Sequence, residues 1–199
     1  MKQVKWVRSK LLKSEFMKTA IVLSVTIIGV AVFWLGLRAA LRTEFPIHAV
    51  MSESMVPALN VGDLLVVQGV ANADEINAVP RAGDIIVFRK PTNRDEFIVH
   101  RAIGKIYIDG WWFFRTKGDH NLVEDPWNVP EYDVIGRVVG RIPLLGYIKI
   151  FLGTTLGIAV IILLMLLLLF MDYIPMLRKV VKDKEPSLYK NPSHYQLHV

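Results

Sequence analysis

The sequence predicts a mainly β protein, in which a compact antiparallel β domain lies between two transmembrane helices. The chain has 199 residues and contains two long apolar stretches that carry no charged residue. Between them, residues 38–149 form a more polar region in which short apolar runs follow Gly-Asp turns. Short strands bounded by turn residues at this spacing are typical of an antiparallel β fold. A chain of this length has room for one such domain and its anchors.

The two apolar stretches cover residues 19–37 and 150–170. About 20 apolar residues cross the ~30 Å hydrocarbon core as a helix, so we predict membrane spans at residues 19–37 and 150–171. The alternative for the first stretch is a cleaved signal peptide, but the apolar part of such a peptide runs to about 7–15 residues. The alternative for the second is a buried core helix, which a domain of this size cannot enclose.

Charge is distributed unevenly along the chain. Residues 1–18 carry a net charge of +5, residues 171–199 carry +2, and residues 38–149 carry −1. Basic flanks of membrane spans stay on the cytoplasmic side. We therefore expect a basic cytoplasmic segment at 1–18, an extracytoplasmic β domain at 38–149, and a cytoplasmic tail at 172–199. The polar tail is expected to be disordered from residue 181.

The composition excludes several kinds of chemistry. There is no cysteine, which rules out a thiol nucleophile, a disulfide framework and a cysteine-ligated metal. The scattered histidines and aspartates match no zinc signature, so we expect no metal and no other cofactor. The sequence pI near 9.5 reflects the basic flanks, so no nucleic-acid partner is expected. An external domain without disulfides is common in prokaryotes, which favours the plasma membrane of an archaeal or other prokaryotic cell.

The β domain contains short apolar runs that we interpret as strands. Asp109-Gly110 separates two of these runs and is the strongest short signal for a β-hairpin. A glycine in the last run predicts a bulge or a close backbone approach, and residues 71–80 are expected to form a loop or a short helical turn. The runs are residues 63–67, 84–89, 97–103, 105–108, 111–116 and 134–142.

A candidate nucleophile stands shortly after the first anchor, in Ser52-Glu53-Ser54-Met55-Val56-Pro57. A serine hydroxyl attacks only when a neighbouring base takes its proton and a donor stabilises the oxyanion. Pro57 restricts the backbone near Ser54, and the hydroxyl of Ser52 could reach the oxyanion. The alternative is an ordinary polar loop, because short motifs match by chance often.

Candidate bases and acids follow downstream. Of five histidines, two lie in the C-terminal tail and one beside the first anchor, which leaves His100 and His120. An imidazole suits proton transfer near neutrality, although His100 could be a packed strand residue and His120 an exposed turn residue. Asp119 and Asp125 lie in the loop after an aromatic run. Either could orient a histidine ring, and Asp119 could equally be a turn residue.

Taken in order, six short segments of the chain resemble the conserved boxes of signal peptidase I, in its archaeal and endoplasmic-reticulum branch. The resemblance covers about residues 20–150, and its strength lies in the order of the segments behind an anchor. The segments are Ser52-Glu53-Ser54-Met55-Val56-Pro57, Gly62-Asp63-Leu64-Leu65, Gly83-Asp84-Ile85-Ile86-Val87-Phe88, Val99-His100-Arg101, Lys117-Gly118-Asp119-His120-Asn121 with Asp125, and Ile135-Gly136-Arg137.

The resemblance implies a role for each matching position. Ser54 falls on the nucleophile, and His100 falls where the bacterial branch has a lysine base. Asp125 falls on the acid that completes a triad, and Asp119 on a second important acid. Ser52 falls on the serine whose hydroxyl, with the backbone amide of Ser54, binds the oxyanion. The chain departs from the family at residue 120, where asparagine is usual, and in its second transmembrane helix, which several members lack.

The resemblance further implies a membrane-bound serine endopeptidase that removes N-terminal signal peptides from exported preproteins after a small-x-small tripeptide. Its partners would be signal peptides of secretory preproteins, the lipid bilayer and the protein-export channel. One alternative is a membrane-tethered relative that cleaves itself or a regulator, and another is an inactive structural subunit. The aromatic run Trp111-Trp112-Phe113-Phe114 could form a membrane-facing rim or belong to the core, because consecutive strand residues point to both faces.

Overall fold

The computed structural model describes the backbone of residues 2–182 and the side chains of residues 17–171 and 173–175. The tail was expected to be disordered from residue 181; residues 181 and 182 are helical instead, and residues 183–199 lie outside the described residues. The chain divides into two compact units, Met1–Ile150 and Phe151–Val199. The helices are α1 (Lys2–Leu41), α2 (Gly146–Leu152) and α3 (Thr155–Lys182), and the strands are β1 (Ile47–Ala49), β2 (Leu64–Gln68), β3 (Ile85–Lys90), β4 (Asn93–Ile108), β5 (Trp111–Lys117), β6 (Asn128–Pro130) and β7 (Val134–Ile142).

Within the described residues the strands form one seven-stranded sheet in the order β1-β2-β7-β3-β4-β5-β6, and every neighbouring pair is antiparallel. The predicted mainly β, antiparallel domain is therefore confirmed. The two runs predicted at residues 97–103 and 105–108 belong to the single long strand β4, because a bulge between Ala102 and Gly104 lets the strand continue past the glycine. β1 and β6 were not predicted, since three residues are too few to show an alternating pattern.

The β4–β5 connection is the predicted Asp109-Gly110 hairpin. Both residues have positive φ, 50° and 90°, as a two-residue turn of the I′ kind requires. The aromatic run that follows serves both faces of β5. Phe114 is fully buried, whereas Trp111 is 50% exposed. The run is therefore neither wholly core nor wholly surface.

Hydrophobic clusters cover both faces of the sheet. Alternation along β3 sends Ile86 and Phe88 into one cluster and Val87 into the other. The second cluster includes Met55 and Leu59, so that the turn after β1 is held by core packing. The buried members are Ala73, Ile76, Ile86, Phe88, Ala102, Phe114 and Val129 in the first cluster, and Val50, Met55, Leu59, Leu65, Val67 and Val87 in the second.

A close backbone approach explains the glycine near the start of β7. A Cβ on Gly136 would lie 2.2 Å from the carbonyl oxygen of Gln68, so no side chain fits there. The last strand has both predicted features, because β7 approaches the end of β2 at Gly136 and its pairing with β3 shifts register between Gly136 and Val134.

Two of the described helices are long and apolar enough to cross a membrane, over Met17–Leu41 and Thr155–Pro175. The first extends beyond the predicted span of 19–37 at both ends. In the second unit, the predicted span of 150–171 is interrupted at Gly153-Thr154, where α2 has ended and α3 begins. The hydroxyl of Thr154 accepts a hydrogen bond from the backbone N–H of Gly157 at 3.0 Å, as an N-cap residue does.

His48 on β1 is a buried histidine that packs against the rings of Phe45 and Phe97. The pKa of His48 is lowered from 6.5 to about 4, chiefly by burial and also by the positive charge of Lys149, while a hydrogen bond with the backbone of Phe45 acts in the opposite direction. Between these two values the unfolded chain binds more protons than the folded one. The free energy of unfolding should therefore be highest above the unfolded pKa and fall as the pH drops toward 4.

Replacing His48 by phenylalanine should remove this contribution to acid sensitivity. A phenyl ring keeps the aromatic contacts and cannot take up a proton. From the two pKa values, we expect wild type to lose about 2 kcal/mol from this group between about pH 7.5 and pH 5, or several degrees of melting temperature, and His48→Phe to lose much less. The measurement is thermal melting at both pH values, with exposed His120→Phe as the control. An equal fall in all three proteins would contradict the assignment.

Candidate active site

Ser54 lies in a tight turn between β1 and β2. The turn is closed by the hydrogen bonds from Val56 N to Glu53 O at 3.1 Å and from Leu59 N to Met55 O at 2.9 Å. Met55 and Leu59 are buried, at 1% and 3% exposure, while Ser54 stays half-buried at the surface. The backbone carbonyl of Ser54 accepts a hydrogen bond from His120 N at 2.9 Å. Packing on one side and this bond on the other therefore fix the serine.

His100 lies in the middle of β4, opposite Ile86 of β3, and is 7% exposed. Its Nε2 atom is 3.1 Å from Ser54 Oγ, and its Nδ1 atom is 2.7 Å from Asp125 Oδ2. A carboxylate only accepts hydrogen bonds, so Nδ1 carries the proton in the neutral ring. Nε2 is then left with the lone pair that faces the serine hydroxyl.

Asp125 lies in the loop after β5, and its side chain is 7% exposed. Its backbone N–H donates to the carbonyl oxygen of Thr116 at 2.9 Å, and the Thr116 hydroxyl donates to Asp125 Oδ2 at 2.6 Å. The buried carboxylate thus has two donors on one oxygen, the second being His100. Ser54, His100 and Asp125 form one continuous chain of hydrogen bonds.

Asp119 takes a different place. Its two carboxylate oxygens accept hydrogen bonds from Arg101 Nε at 2.8 Å and Arg101 Nη2 at 2.6 Å, and Arg101 Nη1 donates to Gly83 O at 2.7 Å. The hydrogen bond with Asp119 is the largest cause of the raised pKa of Arg101. Among the described contacts, Asp119 makes none with His100. It holds the turn whose next residue, His120, supports the Ser54 carbonyl.

The remaining candidates lie close to the serine. Ser52 Oγ is 3.3 Å from Ser54 Oγ, within reach of an oxyanion that forms there. The side chain of His120 is exposed, and this residue contributes through its backbone N–H. As for a metal, no group of three or more suitable side chains stands together in the part of the chain that the structure describes.

Sequence reasoning assigned no role to three residues that build the site. Thr116 supports Asp125, Arg101 holds Asp119, and Gly118 admits the Ser54 backbone, because a Cβ there would lie 2.6 Å from Ser54 O. Arg101 and Gly118 stood inside the matched segments, but nothing in the sequence marked Thr116. Its contact depends on the β4–β5 register and on the path of the following loop.

The arrangement suits nucleophilic catalysis. In the neutral ring, the serine hydroxyl stands next to the ring nitrogen that carries no proton, and a buried carboxylate orients that ring. Such a relay takes the proton from the hydroxyl as it attacks a carbonyl carbon and returns it to the leaving group. The attack would form an oxyanion, for which donors are needed close to Ser54.

Part of the chain matches a known protein family. Residues 17–105 match the family model described as "Signal peptidase, peptidase S26". This match includes Ser54 and His100 and ends before both aspartates.

Several relatives are similar over a longer part of the chain. The signal peptidase complex catalytic subunit SEC11 of Lachancea thermotolerans is 36% identical over 135 residues, which cover 61% of this chain and 74% of that protein. The corresponding sec11 subunit of Sclerotinia sclerotiorum is 35% identical over 127 residues, covering 60% and 71%. The SEC11C subunit of Homo sapiens is 39% identical over 130 residues, covering 60% and 64%.

Proposed function

Because the chain belongs to the signal peptidase family, peptidase S26, we propose that it is a membrane-bound serine endopeptidase that removes signal peptides from exported preproteins. The observation that carries the serine mechanism is the chain of contacts from Ser54 Oγ to His100 and on to Asp125, at 3.1 and 2.7 Å. The relatives are named catalytic subunits, which does not favour an inactive structural subunit. No contact of the described residues favours self-cleavage.

The proposed reaction has two halves. His100 Nε2 takes the proton of the Ser54 hydroxyl as Oγ attacks the carbonyl carbon of the last signal-peptide residue, and Asp125 stabilises the charged ring. The backbone amide of Ser54 and the hydroxyl of Ser52 would hold the oxyanion. His100 then passes the proton to the amine of the mature protein, which leaves. Water, activated by the same ring, releases the signal peptide from Ser54.

The sheet offers a place for an extended substrate. β4 pairs with β3 up to Arg101, and with β5 only from Arg101 onward. In the described structure, one edge of β4 at residues 97–100 therefore has no strand partner, and this edge ends at His100. An extended peptide can add to such an edge as a strand, with alternate side chains pointing into the protein. Two shallow pockets that receive alternate side chains would accept the two small residues of a small-x-small tripeptide.

The two apolar helices are proposed as membrane spans that hold the site beside the bilayer. The basic flanks favour a cytoplasmic location for residues 1–18 and 172–199, and a location on the other side for the β domain. Lipid and the protein-export channel would be its neighbours there. The plasma membrane of an archaeal or other prokaryotic cell stays a prediction from the sequence.

This orientation predicts the outcome of protease accessibility. In intact cells, protease added outside should digest the β domain at residues 38–149 and spare an epitope tag fused after residue 199, because only the domain faces outward. Permeabilised cells, in which both parts are cut, provide the control. A protected β domain in intact cells, together with a digested tag, would show that the topology is the reverse of the one proposed.

The function is tested by cleavage of a preprotein with the purified full chain in detergent. We expect one new N-terminus, after a small-x-small tripeptide, when the product is read by mass spectrometry. A matched preprotein with a large side chain at the last position before the cut should resist, because the shallow pocket would exclude it. A wild-type chain that leaves the first preprotein intact, or that cuts both equally, would refute the proposal.

A further inference from the structure

We infer that Thr116 is a positioning residue for peptide hydrolysis, and that it acts through the carboxylate of Asp125. The inference rests on the proposed function, because Thr116 affects turnover only if Asp125 serves His100 during the reaction. Nothing in the matched segments assigns a role to this threonine. Its hydroxyl is nevertheless one of the two donors on the oxygen that holds the catalytic ring.

The register of β4 and β5 places Thr116 beside the site. Thr116 lies directly opposite Ala102 of β4, and its side chain is 0% exposed. His100 is two residues before Ala102, so His100 and Thr116 are diagonal neighbours on one face of the two strands. The carboxylate of Asp125 lies between them, with Oδ2 at 2.6 Å from Thr116 Oγ1 and 2.7 Å from His100 Nδ1.

The hydroxyl restricts how the carboxylate can turn. An ionised carboxylate is an acceptor only, so Thr116 Oγ1 donates and its position fixes the direction of Asp125 Oδ2. Threonine is β-branched and fully packed here, which makes it a stiff donor. Without this bond, His100 would be the one side chain among the described residues that still holds the carboxylate. The ring would then be less often aligned with the Ser54 hydroxyl, which lowers kcat and leaves peptide binding unchanged.

The backbone allows the hydroxyl to be tested separately. Asp125 N donates to the carbonyl oxygen of Thr116 at 2.9 Å, and this bond does not depend on the side chain at position 116. A substitution that removes only the hydroxyl therefore keeps the loop closed against β5. Valine has the branched shape of threonine without the hydroxyl, and serine has the hydroxyl without the methyl group.

The experiment measures kcat and KM for one preprotein with the purified wild-type chain, Thr116→Val and Thr116→Ser. We expect Thr116→Val to lose about ten- to a hundredfold in kcat with KM unchanged, and Thr116→Ser to restore kcat to within about threefold of wild type. The matched control is Thr43→Val. Thr43 is also buried and donates to Ile135 O at 3.3 Å, a bond that does not involve Asp125, so its kcat should equal that of wild type.

Several other outcomes would count against the inference. Wild-type kcat in Thr116→Val overturns it, and so does a Thr116→Ser variant as slow as Thr116→Val, because packing would then explain both losses. If melting shows that Thr116→Val is unfolded at the assay temperature, Thr116→Ser decides: kcat near wild type supports the role of the hydroxyl, and a tenfold loss in a folded protein overturns it. A wild-type chain that cleaves no preprotein defeats the proposed function itself, and this inference with it.

Discussion

Ser54→Ala should abolish preprotein cleavage, with turnover lower by about 10⁴- to 10⁶-fold. Alanine has no group that can attack the carbonyl carbon, and the Nε2 lone pair of His100, 3.1 Å from Ser54 Oγ, would have no proton to accept. The fold should be unaffected, because the bond from His120 N to the Ser54 carbonyl belongs to the backbone. The measurement is the initial rate of product formation at saturating preprotein, together with thermal melting.

The matched control for this change is Ser24→Ala. Ser24 lies on α1 and is exposed, away from the turn that carries Ser54. The Ser24→Ala variant should cleave the preprotein at the wild-type rate. Turnover near the wild-type value in a folded Ser54→Ala protein would rule out the serine mechanism, even though the chain belongs to the signal peptidase family.

His100→Ala should be as damaging as Ser54→Ala, because members of such a relay act as one unit. His100→Lys should not restore activity. A lysine at this position would lie beside the buried carboxylate of Asp125 and form an ion pair, and a charged amine cannot take the serine proton. The measurement is turnover of both variants on one preprotein, together with thermal melting.

The exposed His120→Ala is the matched control for the base, and it should keep most of the activity because its contact with Ser54 is made by the backbone. Full activity in His100→Lys would instead indicate a serine–lysine mechanism.

Much of the fold was predictable where the signal is local. The Asp109-Gly110 turn, the strand at Val134–Ile142 and the two apolar helices follow from residue types over a few positions. β1 and β6 have three residues each, and such strands exist only because a neighbour pairs with them. The continuity of β4 past Gly104 likewise depends on a bulge against β5, which no local pattern reveals.

The candidate site, like the fold, was predictable only where the signal is local. A serine, a histidine and an acid could be proposed from residue types, and the resemblance placed them in order. Spacing alone could not choose between Asp119 and Asp125, because both lie within one loop. The structure distinguishes them by partner: Asp119 faces Arg101, whereas Asp125 faces His100. Long-range register decides such contacts, and it also explains why Thr116 was not anticipated.

The central claim is that Ser54, His100 and Asp125 work as one relay, and it is tested most directly by comparing Asp125→Asn with Asp119→Asn on one preprotein. An amide at residue 125 would favour the wrong ring tautomer, so Asp125→Asn should lose about 10⁴-fold in turnover with the fold intact. Asp119→Asn should lose much less, or act through lower stability, because it only weakens the pair with Arg101. A stable Asp119→Asn protein without activity, beside a mildly affected Asp125→Asn, would contradict the account.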